Sequence, residues 1–138
     1  MSEKARYLIA SALLLALLCA CGSRGRDLPA PELEGRWTQC SPADNFYQTA
    51  VISGDEIEVY WHIVADGSNY LYWTGSFEPP TDGREPYSWT SVNNLEKAKT
   101  DPHARREETL TFTYKDGKLH YVQIQGRIHL TVSLEREK

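Results

Sequence analysis

Cysteine is scarce in this chain: the 138 residues contain three, Cys19, Cys21 and Cys40. Two of them lie within the first 21 residues, so Cys40 is alone in the remainder. A lone cysteine has no internal partner, which excludes the class of small exported domains that disulfides hold together. The chain must therefore be stabilised by an apolar core. We interpret Cys40 as a small buried apolar side chain.

The chain also lacks an excess of positive charge. It has 15 Lys and Arg against 19 Asp and Glu, which gives a net charge of −4 at pH 7. Nucleic-acid binding requires a basic stripe or patch, and the pair Arg105-Arg106 is followed directly by Glu107 and Glu108. We therefore predict that nucleic acid is not a partner.

No recognisable catalytic or metal-binding motif is present. The four histidines form neither a His-x-His nor a His-x-x-x-His pair, the spacings typical of zinc ligands; they are His62, His103, His120 and His129. We interpret Glu56 and Glu58 as part of the solvated face of a strand and not as a catalytic pair of carboxylates. The glycines are scattered at turns and do not form a phosphate-binding loop. We predict a protein that is not an enzyme and that binds no metal or cofactor.

One long apolar run is present, and it lies at the N-terminus. Residues 8–18 are apolar apart from Ser11 and follow Lys4 and Arg6, an arrangement typical of a secretory signal, and the run is too short for a transmembrane anchor. Leu18-Cys19-Ala20-Cys21 resembles the bacterial lipobox, in which cleavage precedes the lipidated cysteine. That resemblance implies cleavage after Ala20 and a lipid on Cys21. The alternative is an ordinary secretory signal with an incidental cysteine.

These features divide the chain into three parts. Residues 1–20 are the predicted lipoprotein signal peptide, including its signal helix, and residues 21–32 are a Gly-, Pro- and charge-rich tether. Residues 33–138 are long enough for a single domain. The lipid on Cys21 would hold that domain on the extracytoplasmic side of the cell membrane.

The domain is predicted to be all-β. Runs of β-branched and aromatic residues lie between turn signals, at 33–40, 46–53, 56–65, 70–77, 87–92, 108–115, 119–125 and 127–135. About eight strands with short connections favour a small antiparallel up-and-down barrel or a rolled sheet. A β-sandwich is the alternative. The polar segment 93–107 has room for one helical turn before Pro102.

Aromatic residues are concentrated between positions 60 and 89. We expect Trp61, Trp73 and Leu71 to face the core, where large rings bury much area. The tyrosines beside them would then face outward; they are Tyr60, Tyr70 and Tyr72. Rigid amphipathic rings on a strand surface are typical of a contact patch for a protein or a glycan. Equally, they could be cross-strand pairs that stabilise the sheet.

Gly35-Arg36-Trp37 resembles the Gly-x-Trp signature of lipocalins, in which the tryptophan closes one end of a β-barrel. The resemblance implies that Trp37 plugs the barrel. It also implies an alternative function, the carriage of a small apolar ligand in a barrel cavity. A barrel of about a hundred residues with several tryptophans would, however, be filled largely by its own side chains.

A longer resemblance covers most of residues 33–138. The segments AVISGDEIEVYW, LYWTGSFEPPTDGREPYSWTSVNNLEKAKT and LTFTYKDGKLHYVQIQG are similar to a family of small, uncharacterised lipoproteins of Gram-positive bacteria and their phages. The resemblance implies a lipoprotein with a β fold. For a phage-borne gene it suggests, by analogy, superinfection exclusion or modification of the host envelope. The leading hypothesis is a membrane-anchored domain that contacts an envelope or phage protein.

Overall fold

The computed structural model of the protein describes residues 28–138. The predicted signal helix, the lipidation site Cys21 and residues 21–27 of the predicted tether lie outside the described residues. Within 28–138 the chain forms eight strands and one helical turn: β1 Gly35–Gln39, β2 Phe46–Ser53, β3 Glu56–Ile63, β4 Asn69–Ser76, β5 Tyr87–Val92, α1 Leu95–Ala98, β6 Thr109–Lys115, β7 Lys118–Gln125 and β8 Ile128–Arg136.

All strand pairs are antiparallel and belong to one rolled sheet. The spatial order is β4-β3-β2-β1-β8-β7-β6-β5, so strands pair with their neighbours in sequence and the order departs from the sequence order at two places. One is the pairing of β1 with β8, which rolls the sheet. The other is the approach of β4 to β5, where the barrel is nearly closed. The predicted all-β up-and-down barrel is confirmed, and the described strands do not form the two sheets of a sandwich.

Closure between β4 and β5 depends on a glycine. Gly75 forms an isolated bridge with Asn93, and a Cβ at Gly75 would lie 2.5 Å from Ser91 Oγ and 2.6 Å from Val92 O. Ser91 Oγ also accepts a hydrogen bond from Trp73 Nε1 at 3.0 Å. Only a residue without a side chain therefore permits this approach of the two strands.

The remaining edge of β4 is covered by the segment that joins β5 to β6. Asn94 N donates to Thr74 O, and Arg105 N donates to Tyr72 O at 2.8 Å. Asp101 Oδ2 accepts from Leu71 N at 2.8 Å. This segment contains α1, so the prediction of a single helical turn ahead of Pro102 is confirmed. Covering an otherwise unpaired strand protects its backbone groups from other chains.

The two ends of the barrel differ. At the closed end, where β1 begins, Leu33 and Trp37 are buried, and Trp37 Nε1 donates to Leu33 O at 3.0 Å. Stacked rings fill the adjoining interior, with Trp89 and Phe112 centroids 5.2 Å apart. The opposite end, which we call the mouth, is formed by the β1–β2 loop, the β3–β4 turn, the β7–β8 turn and residues 93–108.

The chain approaches the barrel at its closed end. Leu28 lies beside the β4–β5 loop, where its carbonyl accepts a hydrogen bond from Gly83 N at 2.9 Å. A Cβ at Gly83 would lie 2.5 Å from the Leu28 Cβ, so the two segments are in close contact. Leu28, the first residue that the structure describes, is thus held at the end of the barrel opposite the mouth.

Candidate functional site

The three tyrosines that were predicted to form a contact patch do not lie together. Tyr72 is 5% exposed and packs inside the barrel, so the prediction that it faces outward is wrong. The register between β3 and β4 shifts at Val59/Tyr60, with Val59 opposite Trp73 and Tyr60 opposite Leu71. Tyr72 is the extra residue of this bulge, which turns two successive β4 side chains inward.

The same bulge reverses the predicted orientation of Leu71. Leu71 was expected in the core beside Trp73, but it packs on the outside of the barrel against Ala98 and Ala104. Tyr60 is half-buried against this outer cluster. Tyr70 is half-buried at the mouth, where its ring lies 4.2 Å from that of His103. Tyr60 and Tyr70 therefore belong to different surfaces.

Tyr60 is part of a small ionic cluster on the outer face. Its hydroxyl donates to Glu58, whose carboxylate also pairs with Lys97 of α1. Burial, followed by the hydrogen bond to the Glu58 carboxylate, raises the pKa of Tyr60 to about 12. Burial acts to raise the pKa of Glu58 as well, but the hydrogen bonds from Lys97 and Tyr60 outweigh it and the net pKa is lowered from 4.5. The cluster fixes α1 to β3.

This cluster predicts a specific pH dependence of stability. Because the folded-state pKa of Glu58 is lowered, its stabilising contribution is present above pH 4.5 and is lost as the pH falls through the folded-state value. We expect Lys97→Met to reduce the fall in the free energy of unfolding between neutral and acid pH, measured by urea denaturation. Lys115→Met, at an exposed position on β6, is the control and should leave the fall unchanged. An equal effect of both variants would contradict the assignment.

The mouth contains a cavity of ≈ 410 Å³. Its wall combines aromatic and aliphatic side chains with a few polar ones: Trp61, Ile63, Tyr70, Tyr72, His103, Arg105, Gln123, Ile124 and Gln125. Trp61 and Tyr72 meet edge to face, with centroids 6.2 Å apart. Cavities at the open ends of β-barrels are common sites for small ligands.

A second cavity of ≈ 190 Å³ adjoins the first and shares Trp61, Gln123 and Gln125 with it. Between the barrel walls, Gln48 Nε2 donates to Gln123 Oε1 at 2.6 Å. Gln48 is 1% exposed, and its Oε1 has no hydrogen-bond partner. A buried amide oxygen without a partner costs about 1–3 kcal/mol, so this pair is an unusual choice for a position that merely fills the core.

Arg105 is a charged residue of the mouth wall that lies over a buried ring. Its guanidinium lies 5.9 Å from the centre of the Tyr72 ring, pairs with the Glu107 carboxylate and donates to Ile124 O at 2.8 Å. The positive charge is thus neutralised by a carboxylate two residues away. The neighbouring His103 Nδ1 is 3.0 Å from Asp101 Oδ1.

Residues 122–131, which we call the mouth hairpin, extend past the neighbouring strands. β6 pairs with β7 as far as Tyr121, and β1 reaches β8 as far as Ser133, whose carbonyl accepts from Cys40 N. Four large aliphatic side chains of the mouth hairpin are 40–59% exposed; they are Val122, Ile124, Ile128 and Leu130. Val122 and Ile124 lie on the outer face of the mouth hairpin, whereas Ile128 and Leu130 lie on its inner face, opposite Gln125 and Gln123. Sequence reasoning recognised both strands but missed these exposed side chains.

Other predicted positions are placed as follows. Trp37 is 1% exposed at the closed end, the location that a plug requires. Cys40 is half-buried and forms no disulfide. Burial, and to a smaller extent the nearby Glu135 carboxylate, raises the pKa of its thiol.

Among residues 28–138, His, Cys, Asp and Glu side chains form no group of three or more that could hold a metal ion. In the same range, no helix is both long enough and apolar enough to cross a bilayer.

Tyr121 provides a test of the interior below the mouth. Its ring packs on Phe112, its hydroxyl has no hydrogen-bond partner, and burial raises its pKa well above the usual value. We expect Tyr121→Phe to raise the free energy of unfolding by about 1 kcal/mol, because it removes an unpaired buried hydroxyl. The control is Tyr87→Phe, which removes a hydroxyl that donates to Glu78 O and should destabilise. Urea midpoints measure both; a loss of stability in Tyr121→Phe would contradict the prediction.

Comparison of the chain with models of known protein families, with curated proteins and with solved structures found no match.

Proposed function

We propose that the protein is a lipid-anchored lipoprotein of the cell envelope whose barrel contacts another envelope or phage protein through the mouth hairpin. The observation that carries this proposal is the exposure of Val122 and Ile124 on the outer face of the mouth hairpin and of Ile128 and Leu130 on its inner face, on strands whose outer edges are largely unpaired. Exposed apolar side chains and free strand edges together are typical of a surface that another chain covers.

The position of Leu28 at the closed end supports this contact role. Cys21 and Leu28 are separated by seven residue steps, a span of at most about 25 Å. Because Leu28 lies at the closed end, a lipid on Cys21 would hold that end near the membrane. The mouth hairpin would then point away from the membrane that carries the lipid, towards other proteins. The resemblance to phage-associated lipoproteins makes superinfection exclusion the biological role that we favour by analogy.

The anchor is tested by Cys21→Ser. We expect this variant to leave the membrane fraction of the producing cells, because it removes the thiol that would carry the lipid. Cys19→Ser is the matched control, since Cys19 would be lost with the signal peptide, and it should remain with the membrane. Retention of Cys21→Ser in the membrane fraction would refute the lipid anchor.

The contact is tested by photocrosslinking on intact cells. A photoreactive amino acid at Ile128 should give a discrete protein adduct, and the same amino acid at Glu34, near the closed end, should not. Leu130→Thr introduces a β-branched residue that suits a strand but removes an exposed apolar group, so it should reduce the adduct at Ile128. Equal adducts at Ile128 and Glu34, or an adduct unaffected by Leu130→Thr, would reject the mouth hairpin as the contact surface.

A second candidate function, carriage of a small ligand, is favoured by a different observation. The mouth cavity of ≈ 410 Å³ shares Gln123 with the smaller cavity, which is also lined by Gln48, the residue with the unpartnered amide oxygen. The interior towards the closed end is occupied by Trp37, Trp73 and Trp89, so a ligand would occupy the mouth half of the barrel. This function does not depend on the mouth hairpin having a protein partner.

A further inference from the structure

We propose that the mouth is a binding site for a neutral small molecule that combines an apolar ring or chain with one N–H or O–H donor, and that Gln48 Oε1 accepts the hydrogen bond from that donor. The inference rests on the second candidate function, because it names the ligand class that such a carrier would take. Size, polarity and charge each restrict the ligand, and they do so through different side chains.

The apolar part of the ligand is indicated by the cavity wall. A volume of ≈ 410 Å³ lies within the range of small-molecule sites. Trp61 packs against Phe46 on one side, with centroids 4.9 Å apart, and meets Tyr72 on the other. Ile63 extends the apolar wall towards the mouth. A ring or short chain would contact these aromatic faces and displace water from them.

The donor is indicated by the glutamine pair. A single hydrogen bond between Gln48 and Gln123 uses the amino group of the first and the oxygen of the second. The Gln48 oxygen is left without a partner although the residue is 1% exposed. Gln48 lines the smaller cavity and not the larger one, so the donor end of the ligand would enter the smaller cavity past Trp61 and Gln123, which line both. An acceptor in this position discriminates strongly, because a ligand without a donor leaves it unpaired.

Neutrality is indicated by the charged groups at the mouth. Arg105 is paired with Glu107, and His103 contacts Asp101. The smaller cavity, next to the glutamine pair, is lined by no charged side chain among residues 28–138. A charged ligand would therefore be desolvated without gaining an opposite charge, whereas a neutral amide, amine or alcohol would not incur that cost.

The test compares two fluorescent probes of similar shape. N-phenyl-1-naphthylamine is neutral, has two aromatic groups and carries one N–H donor; phenyl 1-naphthyl ether replaces that N–H by oxygen. The exported protein carrying Cys21→Ser is titrated with each probe in the absence of detergent. We expect one saturable site and about tenfold weaker binding of the ether, the change that corresponds to one hydrogen bond of about 1.4 kcal/mol.

Two substitutions identify the acceptor. Gln48→Leu should remove the preference for the amine while retaining saturable binding of both probes. Gln125→Leu is the matched control, because Gln125 lines both cavities but its side chain is exposed. This variant should retain the preference for the amine over the ether. The double variant Gln48→Leu/Gln123→Leu removes both amides. It should also bind the two probes without preference, which would show that the effect of Gln48→Leu does not come from the Gln123 amide left without its partner.

The outcomes separate the inference from the function on which it rests. Saturable binding of both probes with equal affinity would leave the carrier function standing and overturn the donor-specific site. A preference that persists in Gln48→Leu would overturn the assignment of the acceptor. Absence of saturable binding of either probe would overturn the carrier function and the inference together, while the protein-contact proposal would be unaffected.

Discussion

Replacing Trp37 by alanine is expected to lower the free energy of unfolding by about 4 kcal/mol. The side chain is fully buried at the closed end and meets the Tyr114 ring edge to face, with centroids 6.4 Å apart. Alanine would leave a large cavity that the surrounding β-barrel cannot collapse to fill, and Leu33 O would lose the indole donor. Urea denaturation followed by far-ultraviolet circular dichroism measures the change.

Two variants separate the causes of that loss. Trp37→Phe keeps an aromatic ring but removes the indole N–H, so it should cost less than Trp37→Ala. Trp61→Ala removes the same side chain from the mouth, where Trp61 is half-buried, and should also cost less because less buried surface is lost. If Trp37→Ala were no more destabilising than Trp61→Ala, Trp37 would not be the residue that closes the barrel.

Gly75→Ala is the second substitution with a large expected effect, a loss of about 3 kcal/mol of folding free energy. The new Cβ would overlap Ser91 Oγ, Val92 O and Trp73 Nε1, all within 2.8 Å. We expect β4 and β5 to separate at the place where the barrel closes. Faster hydrogen exchange of the Asn94 amide, which donates to Thr74 O of β4, would report that separation when it is measured together with the urea midpoint.

A double variant identifies which contact matters. Ser91→Ala removes the side-chain oxygen at 2.5 Å, but Val92 O belongs to the backbone and remains at 2.6 Å. Adding Ser91→Ala to Gly75→Ala should therefore recover little stability. Nearly full recovery would show that the side chain alone resists the Cβ, and that the strands do not need glycine for their backbones to approach.

The strands were predictable because each has a local signal. Alternation of Ile57, Val59 and Trp61 with polar residues placed β3 correctly, and Asp116-Gly117 marked the β6–β7 hairpin. Short connections then allowed few arrangements other than an up-and-down sheet. The helical turn was equally local, because Pro102 limits its length.

The candidate surfaces were not predictable in the same way. The bulge at Val59/Tyr60 has no glycine or proline to mark it, yet it moves Tyr72 into the interior and Leu71 out of it. The exposure of the mouth hairpin results from unequal reach of neighbouring strands, since β1 has five residues and β8 has nine. Period-two alternation identifies the two faces of a strand but not where its neighbours end.

The pairing of β1 with β8 has a consequence for how the protein folds. Within β1–β4 and within β5–β8, strands pair with their sequence neighbours, whereas Glu137 N donates to Arg36 O across 101 residues. Each four-stranded half can thus form through local contacts, but joining the halves carries the entropy of closing nearly the whole domain into a loop. Closure must wait until β8 has been synthesised, so the slow step of folding belongs to the final strand.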